Sequence, residues 1–256
     1  MVTLLDKPFI QNNLSGFTSW QQHAFGEFSK KLSDNSNQFP CIPAITGFKL
    51  NHFRYSFIRD PRKQEAASDL AHILGAYGRQ SQNFGTYTSL ITFFETPKDL
   101  LKTHTVDDYQ KLFWELLNKI SKLDAKDWPS HIPLDPYNPI WEYCFDGEQY
   151  FIYCATPAHE RKKSRSFPYF TFAVTPRWVL EEFSSSTRSA ALMKRRIRDR
   201  IDAYDSIGVH PDLNTYGSEQ NFEWKQYFLN DDNSTPNGCP FFHSHAASAS
   251  PPRENK

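Results

Sequence analysis

The stretch DDYQKLFWELLNKISKL, residues 107–123, constrains the fold more than any other. Tyr109, Leu112, Phe113, Leu116, Leu117 and Ile120 recur at three- and four-residue steps, and acids open the first turn. That pattern is a helix with one broad apolar face, which needs an apolar surface to cover. Strand-like runs supply it. TYTSLITFF (86–94), EQYFIYCA (148–155) and PYFTFAVTP (168–176) are β-branched and aromatic, and NHFRYSFI (51–58) alternates like a half-buried strand.

Further helices are read over residues 17–32, over EAASDLAHILGAYGRQ with Ala66, Leu70, Ile73 and Leu74 on one face, from about Trp178, and over the basic run STRSAALMKRRIRDRIDAY. The segment SDNSNQFPCIPAITG is turn-rich, and its Pro-Cys-x-Pro element is expected to stay outside regular helix. Helices and strands mix without regular alternation and without a repeat, so the fold class is α+β: a mixed sheet with surrounding helices in a single compact domain. Residues 1–38 form an N-terminal helical segment packed on a main domain of 39–242, and 243–256 read as a disordered tail.

Composition narrows the function. Lys plus Arg and Asp plus Glu stand at 29 each, which gives no global field for nucleic acid or an anionic membrane. No apolar run approaches the roughly 20 residues of a membrane span, and the N-terminus lacks the apolar core of a signal peptide. Four scattered cysteines with no CxxC pair fit a reduced cytoplasmic enzyme. GxGxxG, GxxxxGK[ST], HExxH and GxSxG are all absent. Aromatics make up 16% of the chain, enough either to line a slot for a flat ligand or simply to fill a core.

Three stretches carry candidate chemistry. PAHERKKSR (157–165) places His159 beside Arg161, Lys162, Lys163 and Arg165 directly after a strand. The imidazole is either a ligand or base on a stiff backbone or a loop cap, and the cations are either an anion clamp or a solvated loop. In the basic helix, Arg195, Arg196, Arg198, Asp199 and Asp202 sit at ion-pairing steps, which favours a self-paired surface over nucleic-acid binding. Residues 210–231 are polar yet aromatic, and Glu219, Gln220, Asn221, Glu223 and Gln226 are available to a cationic ligand. Glu219 and Glu223 would share one face if this part were helical, with Trp224, Tyr227 and Phe228 buried. Cys41 and Cys239, each beside a proline, are thiol candidates or packing residues.

The order of FPC (39–41), GTYTSLITFF, PAHERKKSR, FAVTPRW, RIRDRIDAYD, HPDLNTYG, EQNFEWKQYFLNDD and CPFF resembles the YqcI/YcgG family from Phe39 to Phe242. The resemblance implies a haem-dependent monooxygenase that N-hydroxylates a guanidino group, such as that of L-arginine, with O2 and an unidentified electron donor. It implies a non-covalent haem b with His159 as axial ligand and His210 as the alternative, and Arg161, Arg165, Arg177 and Trp178 around the cofactor. It also implies Glu219, Glu223 and Asn221 around the guanidinium, no nucleic-acid or membrane partner, and compatibility with a homodimer. One departure stands out: where other members carry a His-Pro pair in the strand, this chain has Thr156. A haem-binding sensor or carrier and a cofactor-free thiol enzyme are the competing readings.

Overall fold

The computed structural model describes residues 3–184 and 187–242, without side chains for residues 183–189. The tail assigned to 243–256 lies outside the described residues. In chain order the elements are α1 (Lys7–Asn12), α2 (Ser19–Ser33), α3 (Ile42–Lys49), β1 (Arg54–Ile58), α4 (Gln64–Gly78) and β2 (Leu90–Phe94). There follow α5 (Lys98–Thr103), α6 (Val106–Ser121), β3 (Tyr143–Phe145), β4 (Glu148–Ala155), β5 (Thr171–Pro176), α7 (Arg177–Ser184), α8 (Thr187–Tyr204) and α9 (Trp224–Tyr227).

The strands form one sheet in the order β1-β2-β5-β4-β3. β1 and β2 run parallel and are joined through α4, while β2–β5, β5–β4 and β4–β3 are antiparallel. The fold is therefore α+β with a mixed sheet, as the element pattern implied.

Strand alternation divides the interior in two. Leu90, Phe94, Ile152, Phe172 and Val174 face α4 and α6, and the six apolar residues read from the α6 sequence are all buried there. Phe113 meets Phe172 edge-on with ring centroids 5.0 Å apart. Each such side chain stabilises by roughly 1.5–3 kcal/mol through burial. The start of α6 is fixed by a reciprocal cap, in which the Thr105 backbone N–H donates to Asp108 Oδ2 at 3.1 Å and the Asp108 N–H to Thr105 Oγ1 at 3.3 Å.

The other sheet face carries Tyr55, Ile91, Phe93 and Ala155, packed with Phe25 and Leu32 of α2 and with Phe48 of α3. The N-terminal segment is thus part of this core, and Leu5 also pairs with Tyr55 by backbone hydrogen bonds in both directions.

Two local expectations change. The Pro-Cys-x-Pro element does enter a helix: α3 starts at Ile42, and Pro43 lies in the first turn, where no intrahelical N–H is needed. The shared helical face for Glu219 and Glu223 does not form, because residues 210–223 run as turns and extended chain and α9 begins only at Trp224. Trp224, Tyr227 and Phe228 are buried as read.

Candidate functional site

The second sheet face is not filled by side chains. In β5 the residues pointing to it are Thr171, Ala173 and Thr175, all small, whereas Phe172 and Val174 serve the opposite core. Register aligns Ile91, Ala173 and Tyr153 across three strands. Above this floor lies a cavity of about 380 Å³, walled by Phe28 and Leu32 of α2, Cys41 and Ala44, Val179 and Leu180 of α7, and Ala190, Met193 and Ile197 of α8. Small side chains in the central strand leave the space, and amphipathic helices close over it.

At one end the lining turns polar with Arg177, Tyr216, Glu223 and Gln226, and Lys31, Lys194 and Asn214 also line the cavity. Arg177, the residue after β5, donates through Nε to Glu142 Oε2 at 2.6 Å, and its Nη2 also reaches Glu142 Oε1. The same Nη2 donates to Glu223 Oε1 at 2.7 Å. Glu223 Oε2 accepts from Asn221 Nδ2 at 2.9 Å and Gln226 Nε2 at 3.1 Å, and Gln226 Nε2 also donates to Asn221 Oδ1 at 2.6 Å. The Tyr216 ring stacks on the Arg177 guanidinium at 3.7 Å. Arg177, Glu142, Glu223 and Asn221 are all buried.

Burial pushes the Glu142 carboxyl up to about 8, against the pull of Arg177 and with the Glu223 charge adding to the rise. Burial alone would lower the Arg177 guanidinium, but the two carboxylates outweigh it and hold it above its ordinary value. Two carboxylates thus face one guanidinium beside an apolar cavity.

The cationic loop has a different setting. The backbone N–H groups of Glu160, Arg161 and Lys162 all donate to the Asp231 carboxylate at 2.7–3.1 Å. Burial would raise that carboxyl, and the three backbone donors together hold it below its ordinary value. Asp205 accepts from the backbone and hydroxyl of Ser164, and the buried Lys162 ammonium donates to Asn233 Oδ1 at 2.6 Å. The loop after the strand is therefore organised around anions and carbonyls that the chain itself supplies. Arg165, buried against Tyr153, donates to the carbonyls of Cys154, Tyr227 and Gln226.

His159 is buried with both ring nitrogens engaged, Nδ1 with Thr156 Oγ1 at 2.8 Å and Nε2 with the Leu229 carbonyl at 2.9 Å. Thr156, the position that departs from the family pattern, is thus the partner of this imidazole. So held, His159 presents no lone pair to a metal, and it lies outside the cavity lining. His210 accepts from the Asp212 N–H through Nδ1 at 3.1 Å, its Nε2 is buried without a hydrogen-bond partner, and it too lies outside the lining. Trp178 is half-buried with its indole N–H towards Ser81, and Glu219 is exposed in a shallow polar hollow with Arg198 and Ser218.

Of the described cysteines and histidines, Cys41 alone appears among the residues that line the cavity. Burial raises its thiol, with the Arg165 charge opposing, and burial pushes Cys239 up to about 12. Neither thiol is tuned for cofactor-free nucleophilic chemistry. No group of three His, Cys, Asp or Glu among the described residues is arranged to hold a bare metal ion.

Sequence reasoning named Arg177, Asn221, Glu223 and Gln226 but missed Glu142, Tyr216 and the cavity position of Cys41. A signal for Glu142 existed: it is the lone charge in the aromatic run Trp141–Phe145, all of which is buried.

A prediction arises at His159. Burial first, with smaller contributions from Arg165 and Lys162, pushes its imidazole down to about 4 against an ordinary value of 6.5. Unfolding therefore takes up a proton between those values, so stability is complete above about pH 6.5 and falls as pH drops towards 4, by up to about 3 kcal/mol. Urea unfolding midpoints measured from pH 4 to 7 should show this loss, and His159→Gln should flatten the profile in that window.

A family model described as the YqcI/YcgG family matches residues 28–242. The YqcI protein of Bacillus subtilis (strain 168) is 45% identical over 241 residues, covering 94% of this chain and 95% of the relative. The YcgG protein of the same organism is 44% identical over 235 residues, covering 92% and 93%. A protein of Streptomyces lavendulae named "Putative N(omega)-hydroxy-L-arginine synthase DcsA" is 27% identical over 247 residues, covering 93% and 89%. No solved structure matches the chain. Among the described residues no helix is long and apolar enough to cross a membrane.

Proposed function

The chain belongs to the YqcI/YcgG family, and from that premise we propose that it N-hydroxylates a guanidino group of a small molecule such as L-arginine, with haem b, O2 and an external electron donor. The observation that carries this reading is the cavity whose apolar walls end in a buried carboxylate pair. Its support among relatives is the arginine-hydroxylating name of the Streptomyces protein.

The lining fits a haem with one change of ligand. Cys41, on the cavity wall, would be the residue to hold the iron, whereas His159 has both nitrogens bonded elsewhere. Haem brings its iron already held by the porphyrin, so a single protein ligand would suffice to hold it. Lys194 lines the same cavity and would suit a propionate, while Lys31, Arg165 and Arg177 are held by internal partners. When bound, haem would supply O2 activation, and the overall balance is guanidine plus O2, two electrons and two protons to N-hydroxyguanidine plus water.

The protein's part is placement. Glu223 holds the guanidinium by charge and by planar hydrogen bonding. Asn221 and Gln226 fix that carboxylate from behind. Phe28, Ile91, Val179 and Ile197 exclude water around the substrate.

The test is an absorption spectrum of protein from haem-supplemented cells, before and after reduction under carbon monoxide, with product analysis for N-hydroxyarginine. A thiolate-type carbonyl band that vanishes in Cys41→Ser is the expected result. A histidine-type band retained in Cys41→Ser returns the ligand to His159 or His210, and no haem band after reconstitution removes the proposal.

A further inference from the structure

α8 runs for 18 residues, yet none of its described side chains, from Ala190 to Tyr204, is buried. By contrast α6, with 16 residues, buries eight. The apolar residues on the inner side of α8, Ala190, Met193 and Ile197, line the cavity and are only half-buried, because that space and not a packed core lies beneath them. A helix in a globular protein draws most of its stability from packing its apolar face, and a helix of this length is marginal in water by itself. α8 therefore lacks the support that α2, α4 and α6 take from their buried side chains.

What holds α8 differs along its length. At the C-terminal end the Tyr204 ring meets Phe39 edge-on with centroids 6.1 Å apart. The next residue, Asp205, is buried and accepts from the Ser164 N–H at 2.6 Å and the Ser164 hydroxyl at 2.8 Å. The Ser206 N–H donates to the Arg161 carbonyl at 2.8 Å. Towards the N-terminal end the contacts are single and exposed. Arg200 Nη2 donates to Gln38 Oε1 at 2.9 Å, Arg198 reaches the Leu213 carbonyl, and Lys194 Nζ reaches Thr215 Oγ1 at 3.4 Å. Exposed bonds of this kind contribute little net stability. The ion pairs that spacing suggests among Arg195, Arg196, Arg198, Asp199 and Asp202 do not form among the described residues. Asp202 instead accepts the Val209 N–H at 3.0 Å.

We propose that α8 is a lid, anchored at Tyr204–Asp205 and opening towards its N-terminal end, whose closed position is completed by the molecule in the cavity. A ligand lying on the floor of Ile91, Ala173 and Tyr153 covers Ala190, Met193 and Ile197 from below. It supplies the apolar surface that the chain itself does not. Opening admits the ligand, and occupancy holds the lid shut. The inference needs an apolar occupant of this cavity and not the guanidine chemistry, so it goes beyond the proposed function.

The experiment is hydrogen exchange read by mass spectrometry on the whole chain, alone, with hemin, and in Ala173→Phe, whose phenyl group enters the cavity from its floor. In the chain alone, amides of residues 191–200 should exchange at least about 100-fold faster than those of residues 112–120 in α6, as local opening dictates. Brief trypsin treatment should cut at Lys194, Arg195 or Arg196 within the same segment. Hemin should slow both by about tenfold or more, and Ala173→Phe should slow them without hemin. Amides of α8 as slow as those of α6 in the chain alone overturn the lid, a result that needs neither ligand nor variant. Fast exchange that neither hemin nor Ala173→Phe alters also overturns it, and leaves α8 a frayed surface helix. Slowing in Ala173→Phe together with a failure to bind hemin keeps the lid and sinks the haem reading alone.

Discussion

Replacing Arg177 with methionine is expected to destabilise the protein by about 3–5 kcal/mol at neutral pH, the range for removing one partner of a buried ion pair. Arg177 is the guanidinium shared by Glu142 and Glu223, and all three are buried. Methionine keeps much of the volume and the stem packing, so what is lost is the charge and the forked hydrogen bonding. The pH dependence separates this cause from a simple packing defect. Without the cation, burial keeps the proton on the Glu142 carboxyl in the folded state to higher pH than the unfolded value of about 4.3. The folded chain then binds more protons than the unfolded one, so stability falls as pH rises. The deficit relative to the unmodified chain should be smallest near pH 5 and largest near pH 8 in urea unfolding. An equal deficit at both would assign Arg177 a packing role only.

Ala173→Phe is expected to abolish ligand binding while the fold survives. Ala173 sits in the central strand between Ile91 and Tyr153, with its side chain on the cavity floor. A phenyl group there enters existing space and displaces little of the packed core on the other face. Stability should stay within about 1.5 kcal/mol of the parent, as for tolerated core substitutions. Affinity for methylguanidine, or haem retention, should drop by two decades or more, about 3 kcal/mol. A variant with parental affinity would show that the ligand does not occupy this cavity, whatever it does elsewhere.

What could be read from the sequence divides along the range of the interactions involved. α4 and α6 were legible residue by residue, because helical periodicity reports a single buried face. β4 and β5 were legible as strands because their alternation is local. The hairpin joining β3 to β4 was missed although its signal is present: Asp146-Gly147, both at positive φ, make the two-residue turn that fits strand twist. α3 was missed because the prolines were taken as breakers, when Pro43 occupies the one turn that tolerates it.

The site was less legible. His159 looked like a ligand because its neighbours are charged, but its Nε2 partner is a carbonyl 70 residues away. Arg177 looked like an anion clamp for a cofactor, and the acids that hold it are 35 and 46 residues distant. A single sequence carries no mark of such pairings. The clustered cations of PAHERKKSR drew attention for the same reason, and the loop's anion turned out to be Asp231 of the chain itself.

The seam between β2 and β5 has a consequence for how the molecule comes into being. Phe94 ends one strand and Thr171 begins its neighbour, with α5, α6, β3 and β4 between them in the chain. Closing so long a loop is an entropic hurdle that local contacts cannot offset. The β1–α4–β2 unit and the β3–β4–β5 meander are each local, and each holds only part of the cavity floor. The cavity floor is therefore complete only once the two halves are zipped together. A ligand that fits this cavity would stabilise the finished fold without being able to guide its assembly.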